Sequence, residues 1–501
     1  MKTLLALLIV TSALTAAIDD AVRTDAGLVS GVPGVSPQVR VFKGIPFAAP
    51  PVGPLRWRPP EPAVRWEGVR KADHFSSICA QPVRTGTSLL LPTAKRLGEP
   101  SEDCLYLNVW TAAKSPGDKL PVMVYVHGGG YRDGSGSGLV FDGEALTQKG
   151  VIVVTINYRV GIFGFLAHPE LTEESSHHAS GNYGLLDQVA ALQWVNKNIA
   201  GFGGDPNLVT VFGQSAGSGS VLALMASPLA KGLFERAIGE SGGPAMGPMR
   251  KRQDAEQAGA KLGRIAELRA KSYRELLGTA AGGPIVDGWF LPEDEAAIFG
   301  QGKQNDVALI AGSNAEEANV LGRPVPAEKY IEQTKQRYQD MADTYLKFYP
   351  ANTEEQAKAS QMAALNDSFA WQMRTWARWQ TKTGKKDAYL YYFTRQPPPD
   401  APIKGAAHDA ELYYVFHNLR LFDQQWAEWD RRLEQTLSSY WVNFAAHANP
   451  NGNALPVWPK FSEEHADRVM VFGDKVEQGA SRLDKARFEF LEALYAKQMH
   501  R

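Results

Sequence analysis

The sequence predicts an α/β fold, with a mostly parallel central sheet flanked by helices and carrying helical insertions. Three observations carry that prediction. Residues 120–126 and 151–157 are nearly continuous apolar, β-branched runs, the pattern of strands covered on both faces. Leu185, Val189, Leu192, Val195 and Ile199 then recur at the spacing of an amphipathic helix. Gly213-Gln214-Ser215-Ala216-Gly217 follows the strand-like run 208–212 and leads into the helix-like run 221–225, giving strand, tight turn and helix in succession.

The chain has 501 residues, a length that alone suggests about three domains. The pieces of one site are scattered from its first quarter to its last, so residues 18–501 are read as a single domain. With 44% hydrophobic residues, one large core can be filled. Net charge is −1 and the two signs are mixed; there is no basic stripe for nucleic acid and no acidic tail for a cationic partner. The densest basic run, Arg250-Lys251-Arg252, reads as part of a solvated helical region.

Lys2, an uncharged stretch over residues 4–17, and small residues at Thr15 and Ala17 read as a signal peptide of residues 1–17, removed on export to the periplasm or outside the cell. That stretch is shorter than the ~18 to 20 residues of a spanning helix, so no stable membrane anchor is expected. Residues 42–53 are rich in Gly and Pro and read as an edge strand leaving into a rigid loop. Cys79 and Cys104, the two cysteines of an exported chain, predict one disulfide. With no His/Cys cluster of ligand spacing, no metal is expected. Further strands fall at 307–311 and 389–393. Residues 327–383 lack strand signals and read as a helical insertion, capping the site or simply packing. Residues 481–499 place Leu483, Leu491 and Leu494 on one side of a docking helix.

A serine in a Gly-x-Ser-x-Gly turn between strand and helix is forced into a strained conformation that pushes its hydroxyl above the sheet edge. Ser215 is therefore the candidate nucleophile. Gly239-Glu240-Ser241-Gly242-Gly243 repeats the pattern, but the proline-containing run that follows breaks helices. Ser241 thus reads as a strand-end serine near the site. A serine needs a base, a group that orients the base, and donors for the oxyanion. His127-Gly128-Gly129-Gly130, directly after the strand ending at Val126, offers backbone N–H groups that with the N–H of Ala216 make a three-donor hole. The acid belongs just beyond a later strand, where Glu316 and Glu317 stand side by side and composition does not choose between them. Of 10 histidines, His408 lies in a small-residue loop beyond the 389–393 strand, as the order Ser, acid, His requires. His177 and His178 precede the serine, and His417 and His447 sit in helical stretches.

At these residues the chain resembles the type-B carboxylesterase/lipase family, the α/β-hydrolases that include the cholinesterases. The most specific blocks are Ser101-Glu102-Asp103-Cys104-Leu105-Tyr106-Leu107-Asn108-Val109, Asn157-Tyr158-Arg159-Val160-Gly161, Gly181-Asn182-Tyr183-Gly184-Leu185-Leu186-Asp187-Gln188 and Phe202-Gly203-Gly204-Asp205-Pro206-Asn207. The resemblance implies an α/β-hydrolase fold, Glu317 as acid, His408 as base, Gly129, Gly130 and Ala216 as oxyanion donors, and the family's first disulfide between Cys79 and Cys104. Gln214, Ser218, Ala318 and Asp409 depart from the family pattern without removing a reacting atom.

The implied function is serine carboxylesterase, acting without cofactor or metal on a small-molecule ester, with small to medium acyl or aromatic esters expected. Activity should decline below about pH 6.5 as a histidine base protonates. One alternative is a non-catalytic, cholinesterase-like binding protein, opposed by the occupied triad and glycine positions. The other is a lipase or polyester hydrolase, which at an oil interface should carry a large apolar lid not obvious in the sequence. Tyr131, Trp289 and Phe416 are candidate pocket aromatics, and Asn366 begins an Asn-x-Ser sequence.

Overall fold

A computed structural model describes residue 18 and residues 21–82, 98–279, 282–398, 405–466 and 468–499. The expected signal peptide lies outside the described residues. Eleven strands form one sheet. In chain order they are β1 Val32–Pro33, β2 Arg40–Pro46, β3 Tyr106–Thr111, β4 Leu120–Val126, β5 Ile152–Ile156, β6 Gly204–Gln214, β7 Arg236–Glu240, β8 Ala308–Asn314, β9 Ala388–Phe393, β10 Arg468–Phe472 and β11 Val476–Ala480. Their spatial order is β11-β10-β9-β8-β7-β6-β4-β5-β3-β2-β1. The pairings from β5 across to β10 are all parallel. Antiparallel strands finish both edges.

The near-continuous apolar runs are explained by cover on both faces. Val122, Val124 and Val126 of β4 join one core with helices α1 (Tyr183–Asn198) and α2 (Ala216–Ala226) and with Met373 and Trp376 of α3 (Glu354–Thr383). Met123 and Tyr125, one residue out of phase, join a second core with Leu433, Leu437 and Trp441 of α4 (Glu428–His447). α1 is less amphipathic than its spacing implies. Only Gln193, Asn196 and Lys197 are exposed along it, because it is wedged between the sheet and neighbouring segments.

Two further expectations are refined. β2 is not the outermost strand, since the short β1 pairs with Arg40 and Val41 along its outer side. Its Gly- and Pro-rich continuation does leave the sheet as a loop, as chain that cannot sustain a ladder must. Residues 327–383 are helical, and much of their role is packing. The second half of α3 lies in the core, while Trp371 meets Phe488, Leu491 and Leu494 of α5 (Lys485–Met499) in a third cluster. α3 also sends Phe369 to within 5.0 Å of the His408 ring, so one helix both packs and borders the site.

The motif blocks read from the sequence turn out to be braces. Arg159, beyond β5, grips Asp187 of α1 with its Nε at 2.8 Å and Nη2 at 2.7 Å, both residues being buried. Arg56 pairs in the same forked manner with Glu102. Cys79 and Cys104 form the expected disulfide.

Candidate active site

The site follows from the strand order. The chain runs from β4 to β5 on one side and then crosses back so that β6 pairs along the opposite edge of β4, with Gly213 across from Val126. Loops leaving the C-terminal ends of two such strands diverge and open a crevice. Residues 127–130 leave β4 there, and Ser215 leaves β6 beside them.

Ser215 has φ 58° and ψ −123°, the strained turn expected of it, and its N–H donates to Glu240 O at 2.8 Å. The flanking glycines are needed for space. A Cβ on Gly217 would lie 2.0 Å from Val126 O, and one on Gly213 would lie 2.6 Å from the carbonyl carbon of Gly217. α2 starts at Ala216, so its free N-terminal N–H groups and the positive end of its dipole sit at the serine. Ser241 also has positive φ, 54°, but no helix follows it, and its hydroxyl is buried without a hydrogen-bond partner. It is a strand-end serine at the site, as read from the sequence. Gly242 beside it leaves no room for a Cβ, which would lie 2.2 Å from Ser215 O.

His127 holds the glycine turn. Burial lowers its pKa to about 4, so the ring is neutral; facing a carbonyl that can only accept, Nδ1–H donates to Gly128 O at 2.8 Å. The ring stacks on Tyr158 at 4.3 Å, and Tyr158 donates its hydroxyl to His127 O at 2.9 Å. Gly129 and Gly130 follow with φ 109° and 62°, which favour glycine. Among the described residues, no backbone carbonyl takes the N–H of Gly129 or Gly130.

Of the two adjacent glutamates, Glu317 turns inward. It is wholly buried, accepts from Asn314 N at 2.7 Å through Oε1, and meets His408 Nδ1 with Oε2 at 2.5 Å. Glu316 is not a loose surface acid either. Its Oε2 accepts from Ala406 N at 3.1 Å and its own N–H donates to Ala406 O at 2.9 Å, so it braces the loop carrying the histidine. His408 is 5% exposed, and its Nε2 is buried without a hydrogen-bond partner. Gln214, next to Ser215, donates its side-chain N–H to His408 O and so ties the strand that ends at the serine to the histidine.

Two of the other departures also have partners. Ser218 donates to Gly242 O, and Ala318 N donates to Asn366 Oδ1 at 2.8 Å. Asp409 is buried, and burial pushes its carboxyl up to about 6. Of the candidate pocket aromatics, Phe416 is core, packed against Tyr125 at 4.9 Å and Phe212 at 5.5 Å. Tyr131 packs on Phe165, and Trp289 stacks on His177 with ring centroids 3.8 Å apart. Sequence reasoning missed Asn314, whose N–H holds Glu317 and whose side chain holds Ala407 O at 2.6 Å. Its one signal was its place at the end of the strand that delivers the acid. No group of three or more metal-ligating side chains occurs among the described residues.

A parallel sheet with a strained Gly-x-Ser-x-Gly turn at its crossover point and a buried Glu–His pair on the loops after later strands defines an α/β-hydrolase. The carboxylesterase family matches residues 19–491, and the chain belongs to it. It is 38% identical to a fumonisin B1 esterase of Sphingopyxis macrogoltabida, over 91% of this chain and 87% of that one. To a para-nitrobenzyl esterase of Bacillus subtilis (strain 168) it is 36% identical, over 86% and 91%. Among solved structures it is similar to a thermophilic PNB esterase, with TM-score 0.83 and 32% identity over 94% of this chain and 99% of that one. The protein is a carboxylic ester hydrolase.

Proposed function

We propose that Ser215 attacks the ester carbonyl while His408 Nε2 takes its proton and Glu317 holds the imidazole and stabilises the imidazolium. The observation that carries this reading is the 2.5 Å contact between His408 Nδ1 and buried Glu317, which leaves Nε2 as the free ring nitrogen. The N–H groups of Gly129, Gly130 and Ala216 receive the oxyanion. Each such donor is worth about 3 kcal/mol of transition-state stabilisation. Alcohol departs with the proton returned by His408, and water releases the acyl group by the reverse path.

We infer that the substrate is a small-molecule ester, among small to medium acyl or aromatic esters, and that the chain is exported. The Cys79–Cys104 disulfide supports export, since such bonds persist in oxidising compartments. The test is hydrolysis of p-nitrophenyl esters with two-, four-, eight- and sixteen-carbon acyl chains, by the mature protein and by Ser215→Ala. Turnover of the short esters, abolished in the folded variant, is the expected result. Activity retained in Ser215→Ala would move the nucleophile to Ser241. Fumonisin B1 is a further ester to assay beside them, given the similarity to an esterase bearing that name.

A further inference from the structure

Behind the Glu317–His408 pair lies a set of buried polar groups that the acyl-transfer steps do not use. Glu240 ends β7 and Asn314 ends β8, neighbouring strands of the sheet; these two residues, Ser241 and Glu411 are all fully buried. Asn314 is the hub. Its N–H holds Glu317 Oε1, and its side-chain amide holds both Ala407 O, the carbonyl just before the base, and Glu411 Oε2. Glu240 Oε1 accepts from Trp441 Nε1 at 2.8 Å.

Each of these two carboxyls thus has one side-chain donor, on one oxygen, and the other oxygen, Glu240 Oε2 or Glu411 Oε1, has no partner. The groups that face them are Tyr125 from β4, Tyr391 from β9, Trp441 from α4, and Glu317, with Asp409 nearby in the base loop. No lysine or arginine is among them. Ionised carboxylates are strongly disfavoured in a fully buried volume with one side-chain donor each and a third carboxylate close by. Protonated carboxyls are not: each gains an O–H, and unpartnered acceptors such as Asn314 Oδ1 stand in the same cluster.

We propose that Glu411, with Glu240 behind it, is a neutral carboxylic acid that positions the reacting pair through Asn314, leaving Glu317 as the one ionised carboxylate that His408 meets. This deepens the mechanism above and rests on its assignment of Glu317 and His408. Burial pushes Glu240 up to about 8, and burial, with the carboxyls of Glu240 and Glu317 close by, pushes Glu411 well above the usual carboxylate range. The folded protein therefore binds protons that the unfolded chain has released above about pH 4.5, and these two groups cost stability progressively as pH rises from there.

Two readouts test the proposal. Thermal unfolding of Glu240→Gln and Glu411→Gln should show melting points raised relative to wild type at pH 8.5 and much less so at pH 5. Equal differences at the two pH values overturn the neutral state, whatever the catalytic residues prove to be. In kinetics on a p-nitrophenyl ester at pH 7, Glu411→Leu should lower kcat at least tenfold with KM within twofold, and Glu411→Gln should recover most of that loss. A glutamine variant that is folded yet a hundredfold below wild type overturns the neutral state, and a fully active leucine variant overturns positioning. Full activity in Glu317→Gln would instead remove the acid assignment on which the positioning role depends, while leaving the melting-point test intact.

Discussion

Replacing Glu317 by glutamine changes one oxygen to an amide nitrogen in a side chain whose both ends are already committed. Oε1 accepts from Asn314 N, a backbone donor that cannot reverse its role, and Oε2 meets His408 Nδ1. The glutamine oxygen must therefore face Asn314, and its NH2 must face the imidazole. Nδ1 then becomes an acceptor and the ring proton moves to Nε2, the nitrogen that has to take the proton of Ser215. A wrong tautomer of this kind in another serine hydrolase costs about 10⁴ in kcat, or about 5.4 kcal/mol at 1.36 kcal/mol per tenfold. The assay is kcat and KM on p-nitrophenyl butyrate, with a circular dichroism spectrum to establish that the variant is folded. Glu316→Gln is the internal control. Glu316 accepts one backbone N–H through Oε2, a bond the glutamine carbonyl can replace, so less than a threefold change is expected. A loss under tenfold in folded Glu317→Gln, or a larger loss in Glu316→Gln, would refute the tautomer argument.

Asp409→Asn should stabilise the protein at pH 7.5 and lose that advantage at pH 4. Burial holds the Asp409 carboxyl at about 6, so between about pH 4 and 6 the folded state keeps a proton the unfolded chain gives up, a cost of up to about 3 kcal/mol measurable by urea denaturation. Gly217→Ala would drive a Cβ to 2.0 Å from Val126 O, a backbone atom that cannot rotate away, so either folding fails or kcat drops by tenfold or more. Replacing Cys79 and Cys104 by serine opens a crosslink spanning 25 positions and should cost about 3.5 kcal/mol in the chain-entropy account, read as a lower denaturation midpoint with kcat retained. Arg159→Met would strand buried Asp187 without its guanidinium and should cost about 3–5 kcal/mol by the same denaturation measurement.

Much of the fold was legible because its signals are local. The strands at Ile152–Ile156 and Ala308–Asn314 announce themselves as apolar runs, and the turn at Ser215 by glycines that backbone contact requires. β11, an antiparallel edge with exposed Glu477 and Gln478, carries no comparable run, and β10 beside it carries only the four apolar residues Val469 to Phe472; neither was anticipated. The aromatic residues were ambiguous for a related reason. Phe416 in the core and Tyr131 over Phe165 satisfy the same hydrophobic pattern, and only position tells them apart.

By itself the sequence singled out the residues proposed to carry the chemistry: the strained serine, the glycine turn, His408, and a glutamate pair in the order Ser, acid, His along the chain. These depend on residue type and immediate neighbours, which a linear text records. Which glutamate faces the histidine depended on how one loop after β8 meets another after β9, and that is set by contacts across 91 positions of sequence. The same holds for Asn314, Gln214 and the buried acids Glu240 and Glu411. A carboxyl's charge and a hydroxyl's partner are properties of the volume around it, and that volume exists only once distant strands have come together.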